Sequence, residues 1–211
     1  MDNSYLKIAD YYNKVFNQYG DTPQGLAWDN QTNLNKRYEV MFDLIKHPKQ
    51  ITPNTTVLDF GCGYGGFYKW ISNHQRYIKY TGIDINEHSI KKAKEIHSEV
   101  DFYKKDILND EHFYSLQCFD YIICNGTFTV KDTLTQKEMM EFFTSTMIKL
   151  WSKCNKGIAF NLMSKHVDWE RDDLFHVSLD ELGWFLKNNL SRNFIIRNDY
   201  KLYEYTVYVY K

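Results

Sequence analysis

The sequence predicts an α/β fold built on an open, mostly parallel β-sheet. Short apolar runs alternate with helix-length amphipathic segments after residue 55, and continuous apolar runs are typical of strands that crossover helices bury on both faces. The first run leads directly into a glycine-rich loop, residues 61–66. The last two runs lie too close together for a crossover between them. These observations favour a parallel sheet that ends in an antiparallel hairpin.

Two helices are predicted in the first fifty residues, because apolar residues there recur three or four positions apart. They are Tyr5, Ile8, Tyr12 and Val15 in the first segment and Leu34, Tyr38, Met41 and Ile45 in the second. The intervening stretch Tyr19-Gly20-Asp21-Thr22-Pro23 contains two residues that disfavour helix. We therefore expect helix, loop, helix.

Five apolar runs predict the parallel strands, with a helix in each interval (βαβαβαβαβ). They are residues 56–60, 77–83, 101–103, 121–124 and 157–162. Ser178 and Glu181 then form the pattern of a capping box before another amphipathic helix. Residues 194–197 and 203–210 follow as two more strands, and the connection between them, 198–202, is short enough to require a hairpin.

Composition favours one folded domain, residues 1–211, over a disordered or multidomain chain. Hydrophobic residues make up 43% and charged residues 25% of 211, which is ordinary for a globular protein. Lys and Arg total 26 against 27 Asp and Glu, so no overall field attracts a polyanion. We expect no nucleic-acid partner.

The cysteines indicate neither a metal site nor a disulfide framework. None of the four belongs to a CxxC pair or to a zinc-like spacing with histidine, so we expect free thiols and no metal. The sequence also lacks a signal-peptide pattern and any apolar run of about 18 residues. The expectation is a cytoplasmic protein with no membrane partner.

The glycine-rich loop predicts a nucleotide-cofactor site. Glycines there allow a tight turn and close approach of a ligand to the backbone, and the helix that follows offers unpaired N–H groups. The spacing of Gly61, Gly63 and Gly66 also satisfies GxGxxG, the dinucleotide fingerprint. The glycines alone therefore admit NAD as well as other nucleotide cofactors.

The segment VLDFGCGYGG, residues 57–66, resembles motif I of class I S-adenosylmethionine-dependent methyltransferases. The resemblance implies a Rossmann-like sheet of order 3-2-1-4-5-7-6 with an antiparallel last strand, whereas NAD domains normally lack the terminal hairpin. It implies that Asp59 helps to hold the positively charged amino group of the cofactor. The loop residues that it places beside the methionine portion are Gly61, Cys62, Gly63 and Gly65.

Two more acidic residues end the second and third predicted strands. A carboxylate at Asp84 can accept hydrogen bonds from both ribose hydroxyls of either cofactor. The phrase GIDINEHSIKKAKE resembles the second methyltransferase motif, with Ile85 after the acid and Asn86 capping the next helix. The same family implies that Asp106 accepts from the adenine amino group and that the N–H of Ile107 reaches a ring nitrogen.

The fourth run is followed by Asn125-Gly126-Thr127-Phe128, where methyltransferases of nucleic-acid bases and protein amides usually carry Asn/Asp-Pro-Pro-aromatic. This difference favours a small-molecule acceptor. Asn125 either contacts the cofactor or only shapes the turn. The candidate acceptor contacts are Tyr12, Trp28, Phe128 and Ser164.

The amino-terminal segment resembles that of bacterial small-molecule methyltransferases, with residues 1–50 as a helical cap over a core of residues 51–211. The matching elements are Tyr11-Tyr12, Gly25-Leu26-Ala27-Trp28 and Arg37-Tyr38-Glu39-Val40. An arginine on such a cap can pair with the methionine carboxylate, which is the hypothesis for Arg37. A plain surface arginine is the alternative, and Tyr12 and Trp28 either wall the acceptor pocket or fill the core.

His166 and His176 follow the fifth strand and are candidate general bases, because histidine titrates near neutrality. A structural histidine is the alternative for each, and in-line positioning can itself promote the transfer.

The predicted function is methyl transfer from S-adenosylmethionine to a small acceptor, with S-adenosylhomocysteine as product. The expected methyl-accepting atom is an oxygen of a sugar, of a phosphoramidate or capsule-polysaccharide precursor, or of a secondary metabolite. The alternatives are an NAD-binding oxidoreductase and a non-catalytic cofactor-binding partner subunit.

Overall fold

The computed structural model describes residues 3–20, 22–26, 28, 30–46, 52–74, 78–113 and 117–211. Asp21 and Ala27, and the strand start predicted at Tyr77, lie outside the described residues.

The described residues form six α-helices and two short 3₁₀ turns, Asn3–Tyr5 and Gln24–Leu26. The α-helices are α1 (Leu6–Tyr19), α2 (Gln31–Lys46), α3 (Gly66–Asn73), α4 (Glu87–Ile96), α5 (Gln136–Trp151) and α6 (Leu179–Asn189). The predicted order of helix, loop and helix at the amino terminus is confirmed by α1 and α2.

Eight strands form one sheet within the described part of the chain. They are β1 (Thr56–Phe60), β2 (Lys79–Asp84), β3 (Asp101–Lys104), β4 (Phe119–Cys124), β5 (Cys154–Ser164), β6 (His176–Val177), β7 (Phe194–Arg197) and β8 (Glu204–Tyr210). The order is β3-β2-β1-β4-β5-β8-β7, and β8 is antiparallel to both β5 and β7. The short β6 pairs with β5 outside that path, so the predicted sixth and seventh strands are numbered β7 and β8 here. With that numbering the predicted order 3-2-1-4-5-7-6 is confirmed.

The parallel register brings the carboxyl ends of the central strands to one edge of the sheet. Phe60 pairs with Ile83 across β1 and β2, and Asp84 pairs with Lys104 across β2 and β3. In open α/β sheets this edge carries the ligand-binding crevice. The glycine loop and the acidic residues at the ends of β1, β2 and β3 therefore meet there.

The sheet has a core on each face because successive side chains of a buried strand point to opposite sides. Leu58 of β1 packs with residues of α5 and α6, such as Phe143 and Leu182. Val57, its neighbour, packs instead with residues of α2 and α3, such as Met41 and Phe67. Helix α2 is thus one of the covering helices of the sheet.

One predicted helix is replaced by turns. Between β3 and β4, the described residues 105–113 and 117–118 contain no α-helix. Asp106 Oδ1 accepts from the N–H of Leu108 at 3.2 Å, and Asp110 Oδ1 accepts from the N–H of His112 at 2.9 Å. Aspartate side chains that bond the backbone two residues ahead compete with helix formation, so the prediction of a helix in every interval is wrong here.

Two helix starts follow from side-chain caps predicted in the sequence. Asn86 Oδ1 accepts from the N–H groups of His88 and Ser89 at the start of α4. Ser178 Oγ accepts from the N–H of Glu181 at the start of α6. Such caps satisfy donors that the first helical turn leaves without partners, and the cap at Asn86 fixes the chain just after Asp84.

None of the helices in the described ranges combines the length and the apolar character that a membrane crossing requires.

Candidate functional site

The loop after β1 has a backbone that only glycine adopts easily. Gly61, Gly63 and Gly65 have φ angles of 76°, 53° and 87°, in the left-handed region that a side chain disfavours. The N–H groups of Gly61 and Cys62 both donate to the carbonyl of Ile83, at 2.8 and 3.1 Å. The loop is therefore tied to the end of β2 before the chain enters α3.

Asp84 joins the loop to the next helix. Its Oδ2 accepts from the N–H of Gly63 at 2.9 Å, and its Oδ1 accepts from the N–H of Asn86 at 2.8 Å. Burial raises the pKa of this carboxyl, and the backbone hydrogen bonds from Asn86, Gly63 and Ile85 lower it. Because a carboxylate has about four lone-pair sites, Asp84 keeps acceptor capacity for a ligand.

Asp59 is buried in β1 and receives a hydrogen bond of 2.6 Å from the hydroxyl of Tyr80. Burial and, to a smaller extent, the neighbouring charge of Asp84 raise its pKa to about 7, against the lowering effect of the hydrogen bond from Tyr80. A positive group placed beside Asp59 would favour its ionised form. The residue is therefore suited to hold a cation.

Asp106 already has three protein donors. The hydroxyl of Tyr5 and the side-chain amide of Asn109 donate to Oδ2 at 2.7 and 2.9 Å, in addition to the bond from Leu108 to Oδ1. The ring of Tyr5 stacks on Phe142, with centroids 5.2 Å apart. Of about four lone-pair sites, one remains for the adenine contact predicted for Asp106.

One cavity lies at the carboxyl edge of the sheet and is named the cofactor cavity. It is lined by most of the residues that the sequence predicted to contact the cofactor. It contains about 1150 Å³ of empty space, its open mouth included. The lining residues that the sequence predicted are Asp59, Gly61, Cys62, Gly63, Asp84, Ile85, Asp106, Ile107 and Asn125, with the predicted acceptor contacts Tyr12 and Trp28.

Helix α1 supplies lining residues that the sequence did not assign to the site. They are Tyr5 from the preceding turn and Ile8, Ala9 and Phe16 from the helix, and Thr127 and Phe142 join them from other elements. The spacing of Tyr5, Ile8 and Tyr12 put these residues on one helix face. Helical periodicity identified that face but not what it packs against.

Four predicted contacts lie outside the cofactor cavity. Gly65 lies close to the rings of Phe102 and His97. A Cβ added at Gly65 would come to 2.9 Å from an atom of each ring. Phe128 is 0% exposed and packs in the core against Phe142 and Phe143. The other two predicted contacts that do not line the cofactor cavity are Ser164 and Arg37, and both are buried.

Arg37 lines a second cavity on the other side of Trp28, which is named the acceptor cavity after the role proposed for it. Trp28 belongs to the walls of both cavities. The second contains about 1340 Å³ of empty space with its open mouth, and His176 and Met163 also line it. Arg37 thus does not line the cavity that holds most of the predicted cofactor contacts.

Both ring nitrogens of His176 are engaged by the backbone. Nδ1 lies 2.6 Å from the carbonyl oxygen of Ser164, and Nε2 accepts from the N–H of Arg171 at 3.2 Å. His166 is exposed, and its backbone N–H donates to Ser164 Oγ at 2.9 Å. This geometry gives His176 a structural role, since a general base needs a free lone pair.

The cofactor cavity fits a nucleoside cofactor with a cationic amino acid end. Asn125 Oδ1 is buried in its wall and has no hydrogen-bond partner among the residues that the structure describes, and such an atom calls for a donor from a ligand. Gly61 and Gly63 line the cavity without a side chain, and α3 begins three residues after Gly63. Among the residues described, no group of three or more His, Cys, Asp or Glu side chains is placed to hold a metal ion.

Comparison with known proteins adds family and fold relationships. A family model described as a methyltransferase domain matches residues 51–189. Rv1506c of Mycobacterium tuberculosis, which is named as a methyltransferase, is 27% identical over 161 residues, 74% of this chain and 93% of its own.

Two solved structures illustrate the shared fold. Magnesium protoporphyrin IX methyltransferase of Synechocystis PCC 6803, solved with S-adenosylmethionine, has a TM-score of 0.66 at 16% identity and covers 100% of this chain and 98% of its own. The plantazolicin methyltransferase BpumL, solved with a substrate analogue and S-adenosylhomocysteine, has a TM-score of 0.60 at 16% identity and covers 100% and 91%.

Proposed function

This chain belongs to the methyltransferase domain family, and on that premise we propose that it transfers a methyl group from S-adenosylmethionine to an oxygen of a small-molecule acceptor. The observation that carries the proposal is the meeting of Asp59, Asp84 and Asp106 with the glycine loop in one cavity. When bound, S-adenosylmethionine supplies a methyl group on a positively charged sulfur. Every other contribution comes from the side chains and backbone of the site.

The residues of the cofactor cavity divide the binding task. Asp84 accepts hydrogen bonds from the ribose hydroxyls while its bonds to Gly63 and Asn86 keep the loop in place. Asp106 and the N–H of Ile107 face the adenine. Asp59 offers a buried carboxylate to the amino group, which favours the ionised form of Asp59 by charge attraction.

Asn125 and Trp28 act at the end of the cofactor cavity that adjoins the acceptor cavity. Asn125 Oδ1 accepts a hydrogen bond from a ligand, which relieves its unpartnered state. Trp28 separates the two cavities and excludes water between them. Holding donor and acceptor groups in fixed positions is itself a large source of rate, worth about 7–11 kcal/mol in well-oriented reactions.

The acceptor binds in the acceptor cavity and belongs to the sugars, phosphoramidate or capsule-polysaccharide precursors, or secondary metabolites. The near balance of acidic and basic residues supports a small acceptor over a nucleic acid. Two proteins of similar fold are named for magnesium protoporphyrin IX and plantazolicin as their substrates. We place the reaction in a single domain with α1 over the cofactor, in the cytoplasm of the cell.

Calorimetric titration with S-adenosylmethionine, S-adenosylhomocysteine and NAD tests the cofactor assignment. We expect both sulfur compounds to bind and NAD not to bind. Binding of NAD without either sulfur compound would overturn the proposal. The Asp84→Ala variant serves as the site control, because it removes the acceptor for the ribose hydroxyls and leaves the acceptor cavity intact.

A screen of candidate acceptors tests the transfer itself. Purified protein with S-adenosylmethionine is incubated with sugar, phosphorylated and phenolic compounds, and products are detected as a mass gain of one methyl group. We expect a product that forms only when cofactor and protein are both present. A protein that binds the cofactor and methylates nothing across these classes would support the non-catalytic partner subunit instead.

A further inference from the structure

Arg37 of α2 is held by two partners and is almost fully buried. Its side chain is 9% exposed. Its Nε donates to both carboxylate oxygens of Glu204, at 3.0 and 2.9 Å. The guanidinium lies over the ring of Trp28, with Cζ 3.8 Å from the ring centroid. Glu204 on one edge of the guanidinium and Trp28 on one face therefore set its position and orientation.

One terminal nitrogen of the Arg37 guanidinium has no protein partner among the described residues. Glu204 engages Nε, and Nη1 is buried without a hydrogen-bond partner among the described residues. A buried donor left unbonded is costly, so such an atom points to a ligand. Parallel N–H groups on the end of a guanidinium match the two oxygens of a carboxylate or a phosphate.

The acceptor cavity around this edge is rich in aromatic side chains. Trp169 and Tyr203 are 72% and 66% exposed although both are large and apolar. Such surfaces flanking an opening are suited to bury the faces of a ring. Lys201 also lines the cavity and adds a positive charge. The aromatic lining residues are Tyr11, Trp28, Trp169 and Tyr203.

We propose that the methyl acceptor is a ring-bearing acid whose carboxylate or phosphate binds the terminal nitrogens of Arg37, with its ring among the aromatic side chains of the acceptor cavity. This assignment rests on the proposed function and specifies its acceptor. Arg37 is then a specificity residue for the acceptor. It does not pair with the methionine carboxylate, from which the wall formed by Trp28 separates it.

A chain of hydrogen bonds connects Arg37 to the wall of the cofactor cavity. Glu204 Oε1 accepts from the side-chain amide of Asn161 at 3.1 Å, and Asn161 Oδ1 accepts from the N–H of Gly126 at 2.7 Å. Gly126 follows Asn125 and lines the cofactor cavity. An acid seated on Arg37 is thus positioned relative to the groups that adjoin the cofactor.

Benzoate and phenyl phosphate test the proposal, with benzamide as the uncharged control. Each is titrated into the full-length chain and followed by NMR, in the absence of cofactor so that binding is measured without turnover. We expect at least one of the two acids to bind about tenfold more tightly than benzamide, because a bond to an ionised partner is stronger than a neutral one. The comparison of the acids distinguishes a carboxylate from a phosphate site.

Two variants locate the contact. Arg37→Lys keeps a cation beside Glu204 but removes the flat terminal edge, and we expect it to weaken binding of the acid by about tenfold. Arg192→Met is the control, since it removes one arginine charge at an exposed position that does not line the acceptor cavity. It is expected to bind the acid as the wild type does.

The proposal is overturned if neither acid binds more tightly than benzamide, or if a folded Arg37→Lys variant binds the acid like the wild type. The first comparison uses wild-type protein and stands even if the variant does not fold. Failure of the proposed function has a different signature, namely no binding of S-adenosylmethionine in the calorimeter. Arg37→Lys is expected to leave cofactor affinity unchanged, which separates this role from methionine recognition.

Discussion

The indole of Trp28 lies directly on Gly126. A Cβ added at Gly126 would come 2.6 Å from Cζ2 of Trp28, and the φ of Gly126 is 77°. Both the contact and the left-handed backbone require glycine at this position. The loop after β4 therefore sets the position of the wall between the two cavities.

Gly126→Ala is expected to destabilise the fold by about 2 kcal/mol or more. Left-handed backbone costs alanine roughly 1–2 kcal/mol, and the overlap with Trp28 adds to this. Urea unfolding measures the change. The control is the double variant Trp28→Ala with Gly126→Ala, which removes the overlap and should lose less stability than the two single changes together. Strict additivity would contradict a direct contact.

Cofactor affinity is expected to rise with pH towards the pKa of Asp59, about 7. Below pH 7 the Asp59 carboxyl of the cofactor-free protein holds a proton. The cofactor amino group favours the ionised carboxyl, so binding releases this proton below pH 7 and releases none at higher pH. Calorimetry in buffers of different ionisation enthalpy counts this proton. Asp59→Asn should bind more weakly with no proton release, and a wild-type release that persists in the variant would refute the assignment.

The same carboxyl should make the cofactor-free protein less stable as pH rises from about 4 to 7. Burial raises the pKa of Asp59 above its usual value, so the native state holds a proton that the unfolded state releases in this range. The free energy of unfolding then falls with increasing pH, by a few kcal/mol at about 1.4 kcal/mol per pKa unit. Urea unfolding of Asp59→Asn should show a smaller fall, and an identical pH profile would exclude Asp59 as its source.

Asp84→Ala is expected to weaken binding of S-adenosylmethionine by at least about tenfold, because a charge-assisted ribose contact is lost. The N–H groups of Gly63 and Asn86 also lose their acceptor, so part of the effect comes through the loop. Asp101→Ala, an exposed change at the opposite end of the adjacent strand β3, is the control and should bind normally. Unchanged affinity in a folded Asp84→Ala variant would remove Asp84 from the site.

His176→Ala is expected to lower stability by about 1–3 kcal/mol, since Ser164 O and the N–H of Arg171 lose a buried partner. His166→Ala, at an exposed side chain, should stay within about 0.5 kcal/mol. Urea unfolding distinguishes the two. A fall of about 10²–10⁴ in kcat with unchanged stability would instead identify His176 as the general base.

The meeting of most predicted cofactor contacts in one cavity could be predicted from sequence because its determinants are local. Apolar runs identify β1 and β2 in the sequence, and the carboxyl ends of these strands lie at or just before Gly61, Gly63 and Asp84. A parallel sheet brings the carboxyl ends of its strands to one edge. The hairpin of β7 and β8 followed from the length of a single connection. For the glycine loop and Asp84, a short stretch of sequence carried both the strand and the position of the residue at its end.

The acceptor side depends on long-range pairings that no local pattern contains. Arg37 meets Glu204 167 residues away, and Tyr5 meets Asp106 101 residues away. Helical spacing indicated α2 but not that its arginine faces away from the cofactor. The turns between β3 and β4 were missed because Asp106 and Asp110 bond their own backbone, a local competition that apolar spacing does not register.

Trp28 belongs to the walls of both cavities, and a shared wall is a route by which occupancy of one proposed site changes the affinity of the other. If an occupant of one cavity shifts the indole, the affinity of the other cavity changes with it. By thermodynamic linkage the factor is the same in both directions. The ratio of acceptor affinities measured with and without S-adenosylhomocysteine therefore equals the ratio of S-adenosylhomocysteine affinities measured with and without acceptor, and either experiment reports how strongly Trp28 couples the two sites.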